Sequence, residues 1–299
     1  MNEEIQIEVG NYKITGRKKT AAAAIGRDHP PLIVAIHGGG FTSAYFDCGE
    51  YSLLDRASAA GCPSIGIDRP GYGSSTALPE GDRAIPRNAE LLQKVIAKIW
   101  DERDYDASGI VLVGHSIGST TSLYISSQAT DWPLLGVAFS GLLLSPPTGI
   151  PPFWTFRRPD EWVHRPSKER LGLMFGPPGT YAPGAPELCD SVSRPVWWRE
   201  IVECYDPWEH EFPDICSKIR VPIHYRQGAL DPIWANGQEQ IDRFARAFTS
   251  SPSVDAKLVP NSGHCIDFHL AGKTFQEEQI AFAINCSLGP DDETTRVMR

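Results

Sequence analysis

The sequence predicts an α/β fold in which a mostly parallel sheet carries helices on both faces. Three observations lead there. Short apolar runs alternate along the chain with segments of helical spacing, which is the pattern of successive βαβ units. The runs lack polar alternation, as strands covered on both faces do. Several of them run straight into glycine-rich loops, where a strand gives way to a turn.

Taken in order, "IQIEV" and "YKITGRKK" read as an N-terminal hairpin. "PLIVAIHGGG" (31–40) is a buried strand entering a glycine loop. "YSLLDRASAAG" is a helix closed by Gly61, and "PSIGIDRPGYGSS" is a strand followed by a Gly/Ser loop. "RNAELLQKVIAKIWDE" (87–102) places apolar residues at helical spacing. Val111–Val113 and "LLGVAFSGLLL" (134–144) are further buried strands, the second far too short to span a bilayer. Downstream come a strand (221–228), a helix (236–250), the strand "VDAKLVP" and a helix (271–286). Residues 146–214 break this rhythm, holding 13 of the 25 prolines and five of the eight tryptophans. No sheet strand is evident there, and so long an irregular segment is not a plain loop. Its aromatics argue for packing. The expected organisation is a core of residues 1–145 and 215–288, an aromatic and Pro-rich cap at 146–214, and a frayed tail at 289–299.

Composition narrows the partners. With 299 residues, 41% hydrophobic and 22% charged, the chain is ordinary for a globular protein. A net charge of −9 argues against nucleic acid or an anionic membrane as a standing partner. The start "MNEEIQIEVG" lacks the basic-then-apolar form of a signal peptide. Seven cysteines without a C-x-x-C pair point to reduced thiols and a cytoplasmic location. "EHEF" (209–212) is not H-E-x-x-H and the cysteines are scattered, so no metal is expected.

The chemistry is concentrated at "VLVGHSIGSTTSLYISS" (111–127), where a strand meets a helix at Ser116 between Gly114 and Gly118. This is the pattern of a nucleophile elbow: side-chain-free flanks let strand and helix approach, and the serine stands at the positive end of the helix. A serine nucleophile requires a base, an acid and amide donors. Of eight histidines His264, in "NSGHCIDF" after a strand, is best placed, with His269 its nearest competitor. Asp231, in "GALDPIW" after another strand, fits the chain order of serine, acid and histidine; Asp206 in "CYDPWEH" is the alternative acid. "IHGGGF" supplies Gly39 and Gly40, whose amides with that of Ile117 are candidates for an oxyanion hole. No G-K-[ST] follows, so a phosphate loop is a weaker reading. His37 is expected to tie loops together beneath the site. Phe41, His115, Trp154, Trp197 and Trp198 are candidates for substrate contact. In "WWREIVECY" adjacent tryptophans on a helix diverge by about 100°. Either one packs within the cap and the other lines the pocket, or both only hold the cap together.

With "HGGGF", "DRPGYGSS", "GHSIG", "GALDP" and "SGH" in this order, the chain resembles the α/β-hydrolase superfamily over nearly its whole length. The resemblance implies an eight-stranded, mostly parallel sheet, a triad of Ser116, Asp231 and His264, a variable cap and no cofactor. The serine argues against the epoxide-opening and dehalogenating branches, which carry aspartate at the elbow. "HGGGF" is similar to the hormone-sensitive-lipase branch, although "GHSIG" stands where that branch usually has G-D-S-A-G. The expected activity is hydrolysis of an ester, thioester or lactone of a relatively apolar small molecule, without stable membrane association. Carbon–carbon hydrolysis or lyase chemistry on the same triad, and a non-catalytic receptor of the same fold, are the rival readings.

Overall fold

A computed structural model describes residues 3–22, 29–149 and 153–288. The predicted tail lies outside them. The elements are β1 (Glu3–Val9), β2 (Tyr12–Lys19), β3 (Leu32–Ile36), α1 (Leu53–Ala59), β4 (Ser64–Ile67), α2 (Ala84–Asp101), β5 (Ile110–His115), α3 (Ile117–Ser126) and β6 (Leu134–Ser140). They continue with β7 (Trp162–Val163), α4 (Ser167–Met174), α5 (Ala185–Ser191), β8 (Val196–Trp197), α6 (Trp198–Ser217), β9 (Ile223–Gly228), α7 (Gln238–Ala245), β10 (Val254–Val259) and α8 (Gly272–Ser287).

Eight strands form one sheet in the order β1-β2-β4-β3-β5-β6-β9-β10. β1 and β2 form the expected hairpin, and β2 meets β4 antiparallel. The strands from β4 to β10 run parallel. Every residue of β3 and β5 is buried, which explains their unbroken apolar runs. One core layer gathers Val34, Ile36, Leu92, Ile96 and Leu112 beneath α2 and α3, and the other gathers Ala35, Leu53, Val113 and Ala138 toward α1 and α8.

Between β6 and β9 the chain leaves the sheet for three helices and a small ladder. That ladder departs from the expectation of no strand there: Trp162 pairs with Trp197 and Val163 with Val196, antiparallel. Two residues a side carry too little period-2 pattern to be seen in sequence. α6 also runs through the expected 214/215 boundary. It is long because one of its faces, Tyr205, Trp208, Phe212 and Ile215, packs into the main core. Its Glu203 carboxylate accepts from the amides of Ala84 at 2.6 Å and Ile85 at 2.9 Å, capping α2.

Candidate active site

Ser116 sits at the junction of β5 and α3 with φ 55° and ψ −121°, a conformation that L-residues rarely adopt. The glycines on either side explain how the turn closes. A Cβ on Gly114 would lie 2.6 Å from Ser119 Cα, and one on Gly118 would collide with the Ile36 carbonyl oxygen. Ser116 is thereby held half-buried at the wall of a cavity rather than in the core. The Ile117 amide, first of the helix, has no intrahelical acceptor and faces outward with the positive end of α3.

The loops after β9 and β10, neighbours in the sheet, bring Asp231 to His264. His264 Nδ1 donates to Asp231 Oδ2 at 2.7 Å, with both side chains buried. Gln227 Nε2 donates to the same oxygen at 2.7 Å, and the Ile233 amide donates to Oδ1 at 2.9 Å. The carboxylate is fixed by three donors and in turn fixes the ring. In the neutral imidazole this leaves Nε2 as proton acceptor, and His264 lines the same cavity as Ser116. The competitors are otherwise engaged. His269 accepts at Nε2 from the amides of Gly176 and Gly263, at 3.1 and 2.9 Å, and donates from Nδ1 to Cys265 O at 2.8 Å. Asp206 is exposed on α6.

His37 ties loops together as expected. Its Nε2 accepts from the Arg69 amide at 3.0 Å and Nδ1 donates to Gly38 O at 2.7 Å. Burial, and then the Arg69 charge, hold the His37 imidazole well below its ordinary pKa and so neutral, as an acceptor at Nε2 must be. Arg69, itself fully buried, donates through Nε to His37 O at 2.9 Å and through Nη2 to Gly38 O at 3.2 Å. Its guanidinium also forms a fork with Glu200 of α6, Nη1 to Oε1 and Nη2 to Oε2. The Tyr72 hydroxyl donates to Glu200 Oε2 at 2.6 Å and accepts from the Trp197 amide at 3.2 Å. The glycine loop is therefore clamped, through one buried ion pair, to the segment between β6 and β9. Gly40, at φ 76°, accepts at its carbonyl from the Arg194 amide at 2.7 Å.

With this geometry in place, comparison with known proteins is informative. Residues 33–275 match the model of the Alpha/beta hydrolase family. This chain belongs to that family. Among solved structures the alpha/beta hydrolase is similar to an N-acyl homoserine lactonase complexed with N-hexanoyl homoserine, at TM-score 0.67 and 16% identity, covering 96% of this chain and 98% of that one. It is similar to a thermophilic esterase from Thermogutta terrifontis, at TM-score 0.65 and 16% identity, covering 95% and 99%. A putative lipase from Acinetobacter baumannii gives TM-score 0.66 and 13% identity, covering 95% and 92%. No curated protein matches the sequence. Identities this low carry the fold alone.

The cavity of this alpha/beta hydrolase has a volume of 390 Å³. Ser116, His264, Gly39, Gly40, Ile117, Phe41, His115 and Trp198 all line it. His115 stacks on Tyr45 with ring centroids 4.7 Å apart, and burial, then the neighbouring His264 and His37, keep it neutral. Two expected contacts are absent from the wall. Trp197 stacks instead on Trp162, centroids 6.1 Å apart, and so holds the small ladder together. Trp154 stacks on Tyr205 at 4.6 Å, and its carbonyl accepts from Trp198 Nε1, so it braces the wall from behind. Tyr205, Trp234, Ile201 and Met174 line the cavity and were not anticipated. The spacing of Trp198, Ile201 and Tyr205 on one helical face held the signal for two of them.

The adjacent tryptophans do not share a helix as expected: Trp197 ends β8 with extended backbone and Trp198 opens α6, so they part at a strand-to-helix junction, and alanine should separate them. Trp197→Ala is expected to lower stability by about 3 kcal/mol through lost stacking and packing. It should leave the preference between short and bulky acyl groups unmoved. Trp198→Ala should shift that preference by roughly 1–3 kcal/mol in relative kcat/KM. Melting curves and a two-ester rate ratio for each variant check the division.

Proposed function

We propose that this alpha/beta hydrolase is a serine hydrolase that cleaves a carboxylic ester, thioester or lactone of a relatively apolar small molecule through an acyl-serine. The observation that carries the reading is the buried 2.7 Å pair of His264 and Asp231 facing the cavity that holds the strained Ser116. Ser116 Oγ attacks the acyl carbon while its proton passes to His264 Nε2. The Gly39, Gly40 and Ile117 amides receive the charge that develops on the carbonyl oxygen. As the tetrahedral intermediate collapses, His264 returns the proton to the departing alkoxide or thiolate. Water then gives a proton to His264 and attacks the acyl carbon, and the proton returns to Ser116 Oγ as the acid leaves. Asp231 orients the ring and stabilises the imidazolium at both stages. Residues 146–214 act as the cap, supplying Trp198, Ile201 and Tyr205 to the apolar wall. No helix among the described residues is long and apolar enough to cross a membrane.

A fluorophosphonate probe should label the wild-type chain once and the Ser116→Ala variant not at all. A panel of p-nitrophenyl esters, acyl thioesters and lactones should then show turnover by the same wild-type preparation. A folded chain that neither labels nor turns over any member would overturn the reading in favour of a receptor.

A further inference from the structure

The wall of the cavity is mostly apolar, yet three arginines reach it: Arg165, Arg170 and Arg194, against one carboxylate, Asp190. Two of the three are accounted for. Arg170 donates from Nε to Asp190 Oδ1 at 3.1 Å and from Nη2 to the same oxygen. Arg194 Nη1 donates to the backbone carbonyls of Ser193 at 2.6 Å and Ser191 at 3.5 Å.

Arg165 is different. Its guanidinium carbon lies 5.4 Å from the centre of the Trp198 ring, which is itself part of the wall. Its ion-pair partner among the described residues is Glu169, four residues on at 3.7 Å, beyond hydrogen-bond distance and on a side chain 58% exposed. So a guanidinium with five donors faces an aromatic wall without a hydrogen-bonded carboxylate among the described residues. With its own side chain 30% exposed, Arg165 stands at the solvent-facing rim of the cavity, where the apolar wall on one side makes it attract an anion more strongly than a cation on an open surface. Its flat fork fits a carboxylate through two parallel hydrogen bonds.

We propose that the cavity takes an ester whose apolar body ends in a single carboxylate, and that Arg165 is the group that recognises this carboxylate. The inference rests on the ester-hydrolase reading for its chemistry, but its binding step stands apart from catalysis. Selectivity arises because a neutral end leaves the fork unpaired, whereas a carboxylate at matching distance from the scissile carbonyl satisfies it. The face of the Trp198 ring, 5.4 Å from the guanidinium carbon, favours the cation at this part of the wall.

The test compares mono-p-nitrophenyl esters of dicarboxylic acids, from succinate to suberate, with p-nitrophenyl alkanoates of equal chain length. A charge-assisted pair of this kind is expected to raise kcat/KM for the best-fitting half-ester about tenfold or more over its neutral counterpart. Arg165→Ala should bring that ratio close to one, and Arg165→Lys, which keeps the charge without the fork, should retain part of it. In parallel, monoethyl and diethyl suberate are titrated into Ser116→Ala and into Ser116→Ala with Arg165→Ala, reading binding without turnover. Tighter binding of the monoester only where Arg165 is present supports the proposal even if no ester is hydrolysed, in which case the hydrolase reading alone falls. Turnover without carboxylate preference, or a preference that survives Arg165→Ala and vanishes in Arg194→Ala, overturns the assignment of Arg165 and leaves the hydrolase reading standing. Melting temperatures of the variants verify that each is folded when measured.

Discussion

Ser116→Ala is expected to lower kcat/KM by ~10³-fold or more while the folded structure persists. The hydroxyl is the nucleophile of the proposed route, and its removal changes little volume. His264→Ala and Asp231→Asn should each be crippling as well, because the three groups act as a unit and their losses do not add. Asp206→Asn, by contrast, should be nearly silent, since Asp206 is exposed on α6. A second variant reads the elbow itself. Ser116→Gly removes the same hydroxyl and also relieves a φ of 55°. Strain of about 1–3 kcal/mol is released there, against roughly 0.4–1 kcal/mol lost because glycine frees the unfolded chain. Ser116→Gly should therefore be as inactive as Ser116→Ala and melt later. If it melts earlier, the backbone is not strained at the nucleophile. More than a tenth of wild-type activity in either variant would remove Ser116 from the mechanism.

Glu200→Ala is expected to cost about 3–5 kcal/mol, because it strands the fully buried Arg69 without a counter-charge. The loss should also reach the chemistry. Arg69 holds the carbonyls of His37 and Gly38, just ahead of Gly39 and Gly40. A guanidinium released from Glu200 no longer fixes them, so kcat should fall more than KM rises. The double change of Arg69→Met with Glu200→Leu separates the two effects. An apolar pair of similar size often restores stability, but it cannot hold the two carbonyls, so kcat should stay low. Full recovery of both would show that the ion pair serves the fold and not the glycine loop. Chemical denaturation midpoints and steady-state kinetics on the two variants and the wild type decide it.

Much of the core was legible because its signals are local. β3 and β5 are unbroken apolar runs since both their faces are covered, and the elbow needs its glycines at fixed positions beside the serine. Asp231 and His264 were found because each follows a strand in a short loop, in an order the elbow demands. The segment between β6 and β9 was legible only in outline. Its longest helix, α6, contains Pro207 and Pro213, which ordinarily interrupt a helix. It persists because Trp208, Phe212 and Ile215 are buried in the main core, so tertiary packing overrides the local rule. The pairing of Arg69 with Glu200 joins positions 131 residues apart, and nothing in either neighbourhood announces it. The same holds for the tryptophans. Spacing placed Trp197 and Trp198 on one helix, whereas Trp197 ends β8, and the ladder formed with Trp162 turns it away from the cavity.

The cap on α2 bears on how such a protein is taken apart or rebuilt. That helix begins after Arg83 with no side-chain cap of its own; Pro86 lacks an amide hydrogen, and the amides of Ala84 and Ile85 are both spoken for by Glu203. A core helix thus borrows its first turn's acceptor from the segment between β6 and β9. The two parts are consequently not interchangeable modules. Excising residues 146–214 to obtain a minimal scaffold, or grafting in the corresponding segment of a relative to change specificity, would expose two orphaned amides on a helix that packs against the sheet. A working chimaera has to bring a carboxylate to that spot, since Arg83 is held at φ 67° and ψ 53°, away from the extended backbone from which a serine or aspartate would cap the helix itself.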